Sequence, residues 1–599
     1  MCAIFGIVGE YDEQKAKHAL SLMHHRGPDF CGIVQDENLF FAHNLLSIMD
    51  SSVNARQPLQ KDSVLLSFNG EIYNVDELKA ELGIESKSAA EGEVLLEAYK
   101  RWGVEFVHRL RGMFAIAVKE GDVLYLFRDR LGKKPLFFLE GESFVFASEI
   151  KALLPFLKQN RMNNDALLGY LTYLAPTPPF TFFEGVKKLG AGEYLTCKAG
   201  KVEVKRYYDI LHVKPNIITS EDEALRVLEK RLDEALELRL SAEAGIASLL
   251  SGGIDSAFLA ANAKKKGMPL HTFTLGYNEY QNYDERKNAS ETAEFLGVKN
   301  SIVEIDRNRF IDASDEVLDT LDEPLNDPAA VPLYLLFEEI AKEGYRVVMS
   351  GEGSDELFLG YRQYFEYLDI QKASVLMHKN WLKKYFRANF SMNREWEWYK
   401  RIWDDSLLFR SSGEKFTDLQ KNLLMRQNVK DDSSLEYLQG YRDRFLNSLH
   451  SDESSWYSYI DLNLFQAEHF LKKLDHVSMA HSIEARTPFL DHRLVEDVFM
   501  LKPSLRHSEG VTKSLLKKIA QPYLNDAILK RKKKGFSNPY MEWLIASGKI
   551  ALIEEVNEET GMFHKEVLQK YLEMANRGRF KQHVWGLYVL SHWIKRYLL

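Results

Sequence analysis

A short glycine loop, Ser251–Ser256 ("SGGIDS"), constrains the fold of this 599-residue chain more than any other segment. It follows the apolar run Ile246–Leu250 and precedes an alanine-rich stretch that is typical of a helix. In a parallel α/β sheet, ligands bind at the carboxyl ends of strands, and helix N-termini present free N–H groups to anions. The order of strand, loop and helix therefore predicts a phosphate-binding loop, but one without the lysine of a nucleoside-triphosphatase loop.

A second loop repeats this chemistry further along the chain. The segment "VVMSGEGSDELFLGY" (347–361) is again an apolar strand, followed by Ser350-Gly351 and then by carboxylates. A polar helix cap would explain Ser354 and Asp355, but not two such loops after two apolar strands. A carboxylate beside a phosphate makes electrostatic sense only with a cation between them, so we predict Mg²⁺ with Asp255 and Asp355 as ligands. A loop without this lysine is better suited to binding pyrophosphate than to catalysing transfer of the γ-phosphoryl group.

The pattern of apolar residues divides the chain into two parts. Residues 1–150 are typical of short strands with turn residues between them and a helical stretch at Glu93–Arg101, which predicts an antiparallel-sheet domain with some helices. Strands and helices then alternate over 245–350, which predicts a parallel sheet covered by helices, and the remainder is mostly helical. We place the boundary near residue 215, at "VKPNIITS", which gives domains 2–215 and 216–599.

Composition limits the classes of function. The chain is 45% apolar with a net charge of −9, so neither a disordered protein nor a nucleic-acid partner is expected. It has no signal peptide and no apolar stretch of about 18 residues, so no membrane span is expected. Its cysteines, Cys2, Cys31 and Cys197, are too few for a disulfide framework and are spaced unlike a metal cluster. We expect a soluble, cytoplasmic protein.

Eight further segments lead to a family resemblance over nearly the whole chain. They are "MCAIFG", "HHRGPD", "NGEIYN", "RDRLGKKPLF", "ASEIKALL", "SGEGSDE", "SMAHSIEARTPFLD" and "KKKGF". With "LLSGGIDS", they resemble the glutamine-dependent asparagine synthetases. The resemblance implies an N-terminal-nucleophile glutaminase (class II glutamine amidotransferase) of packed antiparallel sheets flanked by helices. An α/β ATP-pyrophosphatase domain with a parallel sheet and a largely helical C-terminal part would follow it, so the fold class is α+β and then α/β.

Cys2 is the predicted nucleophile of the first domain. Removal of the initiator Met would leave a thiol and a free α-amine on one residue, and an amine of pKa about 7.7–8.0 can serve as the base. The alternative is a small buried apolar residue on an edge strand. The resemblance favours the nucleophile and implies that the Asn69 side chain and the Gly70 N–H bind the oxyanion. It also assigns glutamine binding to Glu71 and Glu91.

This glutamine pocket departs from the family at two positions. Leu45 stands in "LLSI" where the family has an arginine that binds the substrate carboxylate, and Glu91 stands where an aspartate is expected. The change to leucine removes a charge-assisted interaction of about 1.5–3 kcal/mol. Arg56, just before Gln57-Pro58, is our candidate replacement for the missing arginine.

The resemblance also implies the chemistry of the second domain. ATP converts a carboxylate into an acyl-adenylate, and ammonia released at Cys2 travels internally to attack it. Glu352 would accept a proton from the attacking amine, and Lys513 would stabilise charge at the phosphate, although a helical lysine is usually just solvated. The loop residues that would bind pyrophosphate and metal are Ser251, Gly252, Gly253, Asp255 and Ser256. The residues that would bind the nucleotide are Leu250, Leu275, Ser350 and Gly351.

Some assignments stay open. We place the basic run Lys530–Lys534 near the pyrophosphate, with a nucleic-acid patch and a solvated face as alternatives. Aspartate is the expected acceptor because the segment "GEGSDE" has the glutamate that is typical of asparagine synthetases. Pro328-Ala329 and His476, however, differ from the residues that are usual in the family. The alternatives are a sugar carboxylate and an ammonia-preferring synthetase with a weakened glutaminase. A non-catalytic binding protein would not need Cys2, and the resemblance allows a homodimer.

Overall fold

The computed structural model describes residues 2–84, 91–243, 245–371, 378–390, 392–430, 432–507, 510–531 and 537–599. Its first part contains the following elements: β1 (Ala3–Val8), α1 (Glu13–Ser21), β2 (Phe30–Asp36), β3 (Leu39–Leu45), β4 (Leu59–Lys61), β5 (Val64–Ile72), α2 (Val75–Leu82), α3 (Glu91–Trp102), β6 (Gly112–Glu120), β7 (Val123–Arg128), β8 (Phe137–Leu139), β9 (Phe144–Ala147), α4 (Asn164–Tyr173), β10 (Val186–Lys188), β11 (Glu193–Lys198) and β12 (Lys201–Arg206).

The second part begins with a long helix and continues with alternating elements. They are α5 (Glu221–Glu237), β13 (Ile246–Leu249), α6 (Ile254–Lys265), β14 (His271–Gly276), α7 (Arg286–Leu296), β15 (Lys299–Glu304), α8 (Arg307–Thr320), α9 (Ala330–Lys342), β16 (Val347–Met349), α10 (Ser354–Leu357), α11 (Arg362–Gln371), α12 (Lys379–Phe390), α13 (Arg394–Trp403), α14 (Asp418–Leu424), α15 (Ser433–Glu436), α16 (Gln439–Leu446) and α17 (Glu453–Ile460).

A π-helical stretch, Asp461–Phe470, joins α17 to the last group of elements. These are α18 (Leu471–Met479), β17 (Glu484–Arg486), α19 (His492–Phe499), α20 (Pro503–Arg506), α21 (Ser514–Ala520), α22 (Asp526–Leu529), α23 (Tyr540–Ala546), α24 (Leu552–Thr560), α25 (Lys565–Asn576) and α26 (Lys581–Tyr597). Among the described residues, none of these helices combines the length and the apolarity needed to cross a membrane.

Two antiparallel sheets pack face to face in the first part. Their strand orders are β10-β8-β9-β1-β3-β2 and β12-β11-β7-β6-β5-β4. Apolar side chains from both sheets, including Ile4, Phe41, Leu65 and Leu126, fill the layer between them. A tight turn at Gly121-Asp122 joins β6 to β7, where Glu120 pairs with Val123. Cys2 directly precedes β1, and Asn69 lies on β5, so the packing of the sheets brings the two residues together.

A five-stranded parallel sheet forms the centre of the second part, in the order β15-β14-β13-β16-β17. Strands β13 and β16 are direct neighbours, with Ser248 opposite Met349. The two glycine loops that follow these strands therefore lie side by side at one edge of the sheet. This adjacency is what the sequence pattern of two similar loops indicated, and the predicted fold class is confirmed.

The structure corrects details of the sequence analysis. The edge strand β17 pairs in parallel with β16 and lies in the part that was predicted to be mostly helical. Its short length and its sequence, "EAR", give no period-2 apolar signal, so only the neighbouring strand defines it. In the first part, β2, β4, α1, α2 and α4 were not predicted.

Aromatic packing joins the C-terminal helix α26 to the first part of the chain. The Trp593 ring lies 5.0 Å from that of Phe182 and 5.1 Å from that of Phe183, between ring centroids. The hydroxyl of Tyr170 donates to the Gly586 carbonyl at 2.7 Å. Helix α5 begins at Glu221 with Ser220 as its cap, close after the linker we placed near residue 215. The exact domain boundary stays a prediction.

Candidate active sites

Cys2 lines a small cavity of about 40 Å³, together with residues of β3, β5, α3 and the loop after β3. Its side chain is buried, and burial raises the pKa of the thiol, as do the carboxylates of Glu91 and Glu484. A thiol with a raised pKa is mostly protonated near neutral pH and needs a base before it can attack. The free α-amine predicted from the sequence would supply that base.

Asn69 and Gly70 lie next to this thiol. The backbone N–H of Cys2 donates to Asn69 Oδ1 at 3.0 Å. Asn69 Nδ2 is buried and has no hydrogen-bond partner among the described residues, so it is free to bind an oxyanion. Position 70 requires a glycine, because an added Cβ would lie 2.0 Å from the Met113 carbonyl oxygen. The two predicted donors are therefore brought to the thiol.

Two buried acids line the same cavity. Burial and the neighbouring carboxylate of Glu91 raise the pKa of Glu71 well above its usual value. Burial raises the pKa of Glu91 to about 7, although the Ile72 N–H donates to its carboxylate at 3.2 Å. Outside the cavity lining, Arg486 of β17 pairs with one of these acids, with Nη2 3.5 Å from Glu71 Oε1.

The described lining of the Cys2 cavity contains no arginine, lysine or histidine. Leu45 and Leu46 occupy the wall where the resemblance implies a carboxylate-binding arginine. Arg56, our candidate replacement, does not line the cavity: its exposed guanidinium lies over the Phe30 ring, 4.4 Å from the centroid. The structure therefore brings Glu71 and Glu91 to the nucleophile but leaves Arg56 outside.

Arg26 links the nucleophile to the second part of the chain. Its fully buried guanidinium donates to the Cys2 carbonyl oxygen at 3.2 Å and to Asp475 of α18 at 2.8 Å. Asp475 also accepts from Lys134 at 3.1 Å. Two residues before Asp475, Lys473 on the same helix lines the other pocket described below. Helix α18 therefore contacts both candidate sites.

The second site is a pocket of about 290 Å³ at the carboxyl ends of β13 and β16. It gathers most of the residues assigned to ATP from the sequence, together with Glu352 and Asp355: Leu250, Ser251, Gly253, Asp255, Ser256, Leu275, Ser350 and Gly351. Gly252 faces away from it, because an added Cβ would lie 2.9 Å from Asn288 of α7. The sequence assignment of this pocket therefore matches the geometry except at Gly252.

Hydrogen bonds within the first glycine loop fix its conformation. The Ser251 N–H donates to Ser256 Oγ at 3.0 Å, and the Gly253 N–H donates to Ser251 Oγ at 3.1 Å. Gly253 is the N-cap of helix α6 and provides no side-chain cap, so the first N–H groups of the helix are left without a capping side chain at the edge of the pocket. This geometry suits a pyrophosphate group.

Lys513 lies between the two aspartates that we assigned to a metal. Its Nζ is 2.5 Å from Asp255 Oδ2 and 2.8 Å from Asp355 Oδ1. Burial would lower the pKa of this lysine, but the two carboxylates raise it above its usual value. Carboxylate oxygens are the ligands that Mg²⁺ prefers, and the two carboxylates converge on one point, which the Lys513 ammonium occupies in this structure. Lys513 is held by the loop acids but is not part of the pocket lining.

Sequence reasoning missed two groups at this pocket, Lys473 and Tyr361. Lys473 lines it and binds Asp327 at 2.7 Å. The Tyr361 hydroxyl donates to Glu356 Oε1 at 2.6 Å, and burial, followed by the Asp355 carboxylate, raises the pKa of Glu356 to about 8. A lysine on a helix does not by itself indicate a binding site, and Asp327, the partner of Lys473, is distant in sequence. The segment "DEPLNDPAA" was the available clue.

The predicted basic run lies partly outside the described residues. Lys532–Lys534 fall outside them. Lys530 binds Asp526 at 2.7 Å, and Arg531 binds Glu291 of α7 at 2.9 Å. Neither lines the phosphate pocket in the described part of the chain. The placement of this run near pyrophosphate stays a prediction.

Comparison with known proteins covers both parts of the chain. A family model described as asparagine synthase matches residues 227–595, and one described as a glutamine amidotransferase domain matches residues 1–208. The asparagine synthetase [glutamine-hydrolyzing] 1 of Bacillus subtilis is 31% identical over 99% of this chain and 96% of its own length. A putative asparagine synthetase of Mycobacterium tuberculosis is 31% identical over 88% of this chain and 84% of its own. Amidase chry2 of Gibberella zeae is 28% identical over 88% of this chain and 86% of its own length.

Proposed function

The chain belongs to the asparagine synthetase family of glutamine amidotransferases, and on that premise we propose that it makes L-asparagine from L-aspartate, glutamine and ATP. As a member of this family it is a ligase that forms C–N bonds, and its synthetase domain uses ATP. One observation carries the proposal: the chain builds two separate pockets, one around Cys2 and one around the loop Ser251–Ser256.

Ammonia is released at the first pocket. The α-amine of Cys2 takes the proton of the thiol, and the sulfur attacks the carboxamide carbon of glutamine. The oxyanion accepts hydrogen bonds from Asn69 Nδ2 and the Gly70 N–H, the two groups that lie next to the thiol. Collapse of this intermediate breaks the C–N bond and releases ammonia. Water then hydrolyses the thioester to glutamate.

The acceptor is activated at the second pocket. A carboxylate oxygen of the acceptor attacks the α-phosphorus of ATP, and pyrophosphate leaves towards the loop Ser251–Ser256 and Lys513. Ammonia, carried inside the protein, attacks the acyl carbon, Glu352 accepts a proton, and AMP leaves with the phosphate oxygen. We propose that Asp255 and Asp355 hold Mg²⁺, which supplies positive charge against the phosphates.

A larger carboxylate is the second candidate acceptor. Pro328-Ala329 replaces the family's serine-containing sequence next to Asp327, which binds Lys473 of the pocket. His476 replaces an arginine, and it is buried beside Lys472, whose carbonyl lies 3.0 Å from His476 Nδ1. Relatives with amidase names, such as chry2, support an acceptor other than aspartate. A sugar carboxylate is one such acceptor.

Two substitutions test the division of labour between the pockets. We expect Cys2→Ala to abolish pyrophosphate release that depends on glutamine and to leave release that depends on ammonium largely intact. Asp255→Asn should abolish pyrophosphate release with either donor, while glutamine hydrolysis at Cys2 persists. Equal loss of both donor activities in Cys2→Ala would contradict the proposal, as would release of phosphate instead of pyrophosphate by the unmodified enzyme.

A further inference from the structure

Lys473 is the only cation among the described residues that line the ATP pocket. The same lining holds four acids: Asp255, Glu285, Glu352 and Asp355. Lys513, which lies outside the lining, already pairs with the two aspartates beside the glycine loop. ATP and a carboxylate acceptor are both anions. Lys473 is therefore the cation of this pocket that remains for the acceptor.

The position of Lys473 is near the group that we assign to amide formation. Burial would lower its pKa, but the carboxylates of Asp327, Glu352 and Glu356 raise that pKa above the usual value. Glu352 is the proposed acceptor of the proton from attacking ammonia. The ammonium of Lys473 also lies 4.6 Å from the centre of the Phe470 ring, another residue of the lining. Lys473 is thus charged at neutral pH and close to the reacting acyl group.

The ammonium of Lys473 keeps hydrogen-bonding capacity for a ligand. An ammonium has three N–H donors, and the one hydrogen bond that this group donates among the described residues goes to Asp327 Oδ2 at 2.7 Å. The other oxygen atom of Asp327 accepts from the Ala329 N–H at 2.9 Å. Asp327 therefore orients the lysine, and two N–H groups are left. Because only 4% of the side chain is exposed, a ligand is the natural partner for them.

The course of the reaction indicates which group of the acceptor meets this lysine. The reacting carboxylate loses its negative charge when it becomes an acyl-adenylate, and the amide that follows carries no charge at this position either. A fixed ammonium bonded to that carboxylate would stabilise the substrate more than the states that come after it. A second carboxylate keeps its charge throughout, so Lys473 can bind it in every state.

We propose that Lys473 binds a second carboxylate of the acceptor, the one that does not react. This assignment rests on the proposed function and favours its first candidate, because it makes the acceptor a dicarboxylate. In L-aspartate, the group bound by Lys473 is the α-carboxylate, and the β-carboxyl group is then restricted to positions near Glu352. A sugar acid with a single carboxylate would leave Lys473 without an anionic partner from the substrate.

Paired acceptors test this assignment, because β-alanine is aspartate without its α-carboxylate. With ammonium as the nitrogen donor, we expect kcat/KM for pyrophosphate release to be roughly tenfold or more higher with aspartate than with β-alanine. Lys473→Met should remove this preference. Its main effect should be a higher KM for aspartate and not a lower kcat, since the α-carboxylate does not react. Lys473→Arg should retain part of the preference.

Lys472→Met is the matched control on the same helix. Lys472 is also buried and pairs with Glu323 at 2.5 Å, but it does not line the ATP pocket. Its replacement removes a buried ion pair of the same kind. Any loss of stability should therefore appear in thermal unfolding, while the ratio of kcat/KM between aspartate and β-alanine stays unchanged.

The outcomes separate the role of Lys473 from the proposed function. Equal kcat/KM for aspartate and β-alanine in the unmodified protein would overturn the role of Lys473 and leave the ligase activity standing. A preference that persists in Lys473→Met would assign the second carboxylate to another group. Turnover of glucuronate but of no dicarboxylate would overturn the inference and leave the second candidate acceptor. Absence of pyrophosphate release with every carboxylate would refute the proposed function and this inference together.

Discussion

Leu45 is the residue of the Cys2 cavity that bears most directly on glutamine binding. The reacting carboxamide is far along the substrate from its α-carboxylate, so a group that binds this carboxylate stabilises ground state and transition state alike. Loss of the arginine removes about 1.5–3 kcal/mol of binding, so we expect the KM for glutamine to be raised roughly 10- to 150-fold. The value of kcat should change little. Leu45→Arg should recover part of this affinity in steady-state glutaminase assays.

Arg56→Ala is the matched control for that experiment. Because the Arg56 guanidinium lies over the Phe30 ring outside the cavity, its removal should leave the KM for glutamine unchanged. If Arg56→Ala raises the KM and Leu45→Arg does not lower it, Arg56 moves in to bind the substrate. If neither changes the KM, the carboxylate is bound elsewhere.

We expect Glu91 to make glutamine use dependent on pH. Its pKa of about 7 means that the carboxyl group is neutral below that pH and ionised above it. Only the ionised form pairs with the substrate ammonium, so kcat/KM for glutamine should fall as pH drops through 7, by about tenfold per unit well below it. Glu91→Gln should be less active and lack this step. The same step in both proteins would assign the titration to another group.

The role of a single residue could be predicted from the sequence where a motif indicates its chemistry. It could not be predicted where the role depends on contact with a residue distant in sequence. Cys2, Asn69 and Asp255 belong to motifs whose order along the chain already suggests a role. Lys473 and Arg26 act through Asp327 and Asp475, whose proximity arises only from folding. The position of Arg56 over the Phe30 ring, outside the cavity lining, could not be predicted because sequence separation gives no side-chain direction.

At the scale of elements, the loop after β16 depends on a close approach to the loop after β13. An added Cβ at Gly351 would lie 3.1 Å from Asp255 Cβ. Overpacking of this kind costs about 1–3 kcal/mol, so Gly351→Ala should lower kcat/KM for ATP in pyrophosphate release roughly tenfold. Gly141→Ala is the control, since its Cβ would be 3.7 Å from the nearest atom. Equal effects of the two changes would mean that the contact with Asp255 is unimportant.

The order of strands explains which parts of the fold were predictable. Strands β13, β14 and β16 have apolar runs of their own and were predicted within a few residues. Their order in the sheet depends on crossovers, and β17 depends on the pairing of Val348 with Ala485, which no local pattern of the sequence indicates. The adjacency of β13 and β16 was nevertheless inferable, because two similar loops suggested one shared site.

At the scale of the whole molecule, the buried contact between Arg26 and Asp475 joins the backbone at Cys2 to helix α18, and we expect it to couple the two sites. Asp475→Asn would leave Arg26 and Lys134 with less compensating charge in a buried place, a loss of up to about 3–5 kcal/mol. We expect a lower thermal unfolding temperature and a larger loss of glutamine-dependent than of ammonium-dependent turnover. This difference follows because Arg26 also binds the Cys2 carbonyl oxygen.

An exposed ion pair between the two parts of the chain provides the control. Glu77 and Arg493 lie 3.5 Å apart, with 57% and 37% of their side chains exposed. Such pairs contribute about 0–1 kcal/mol, so Glu77→Gln should change neither property measurably. Equal loss of both donor activities in Asp475→Asn would indicate a general loss of folding and not a coupling of the sites.

The packing of Trp593 against Phe182 and Phe183 bears on folding during translation. Helix α26 leaves the ribosome after every other described element, and domains fold as they emerge. Phe182 and Phe183, in the first part of the chain, therefore lack their contacts with Trp593 until the second part has also been made. We expect the packing around these two rings to be complete only on the finished chain.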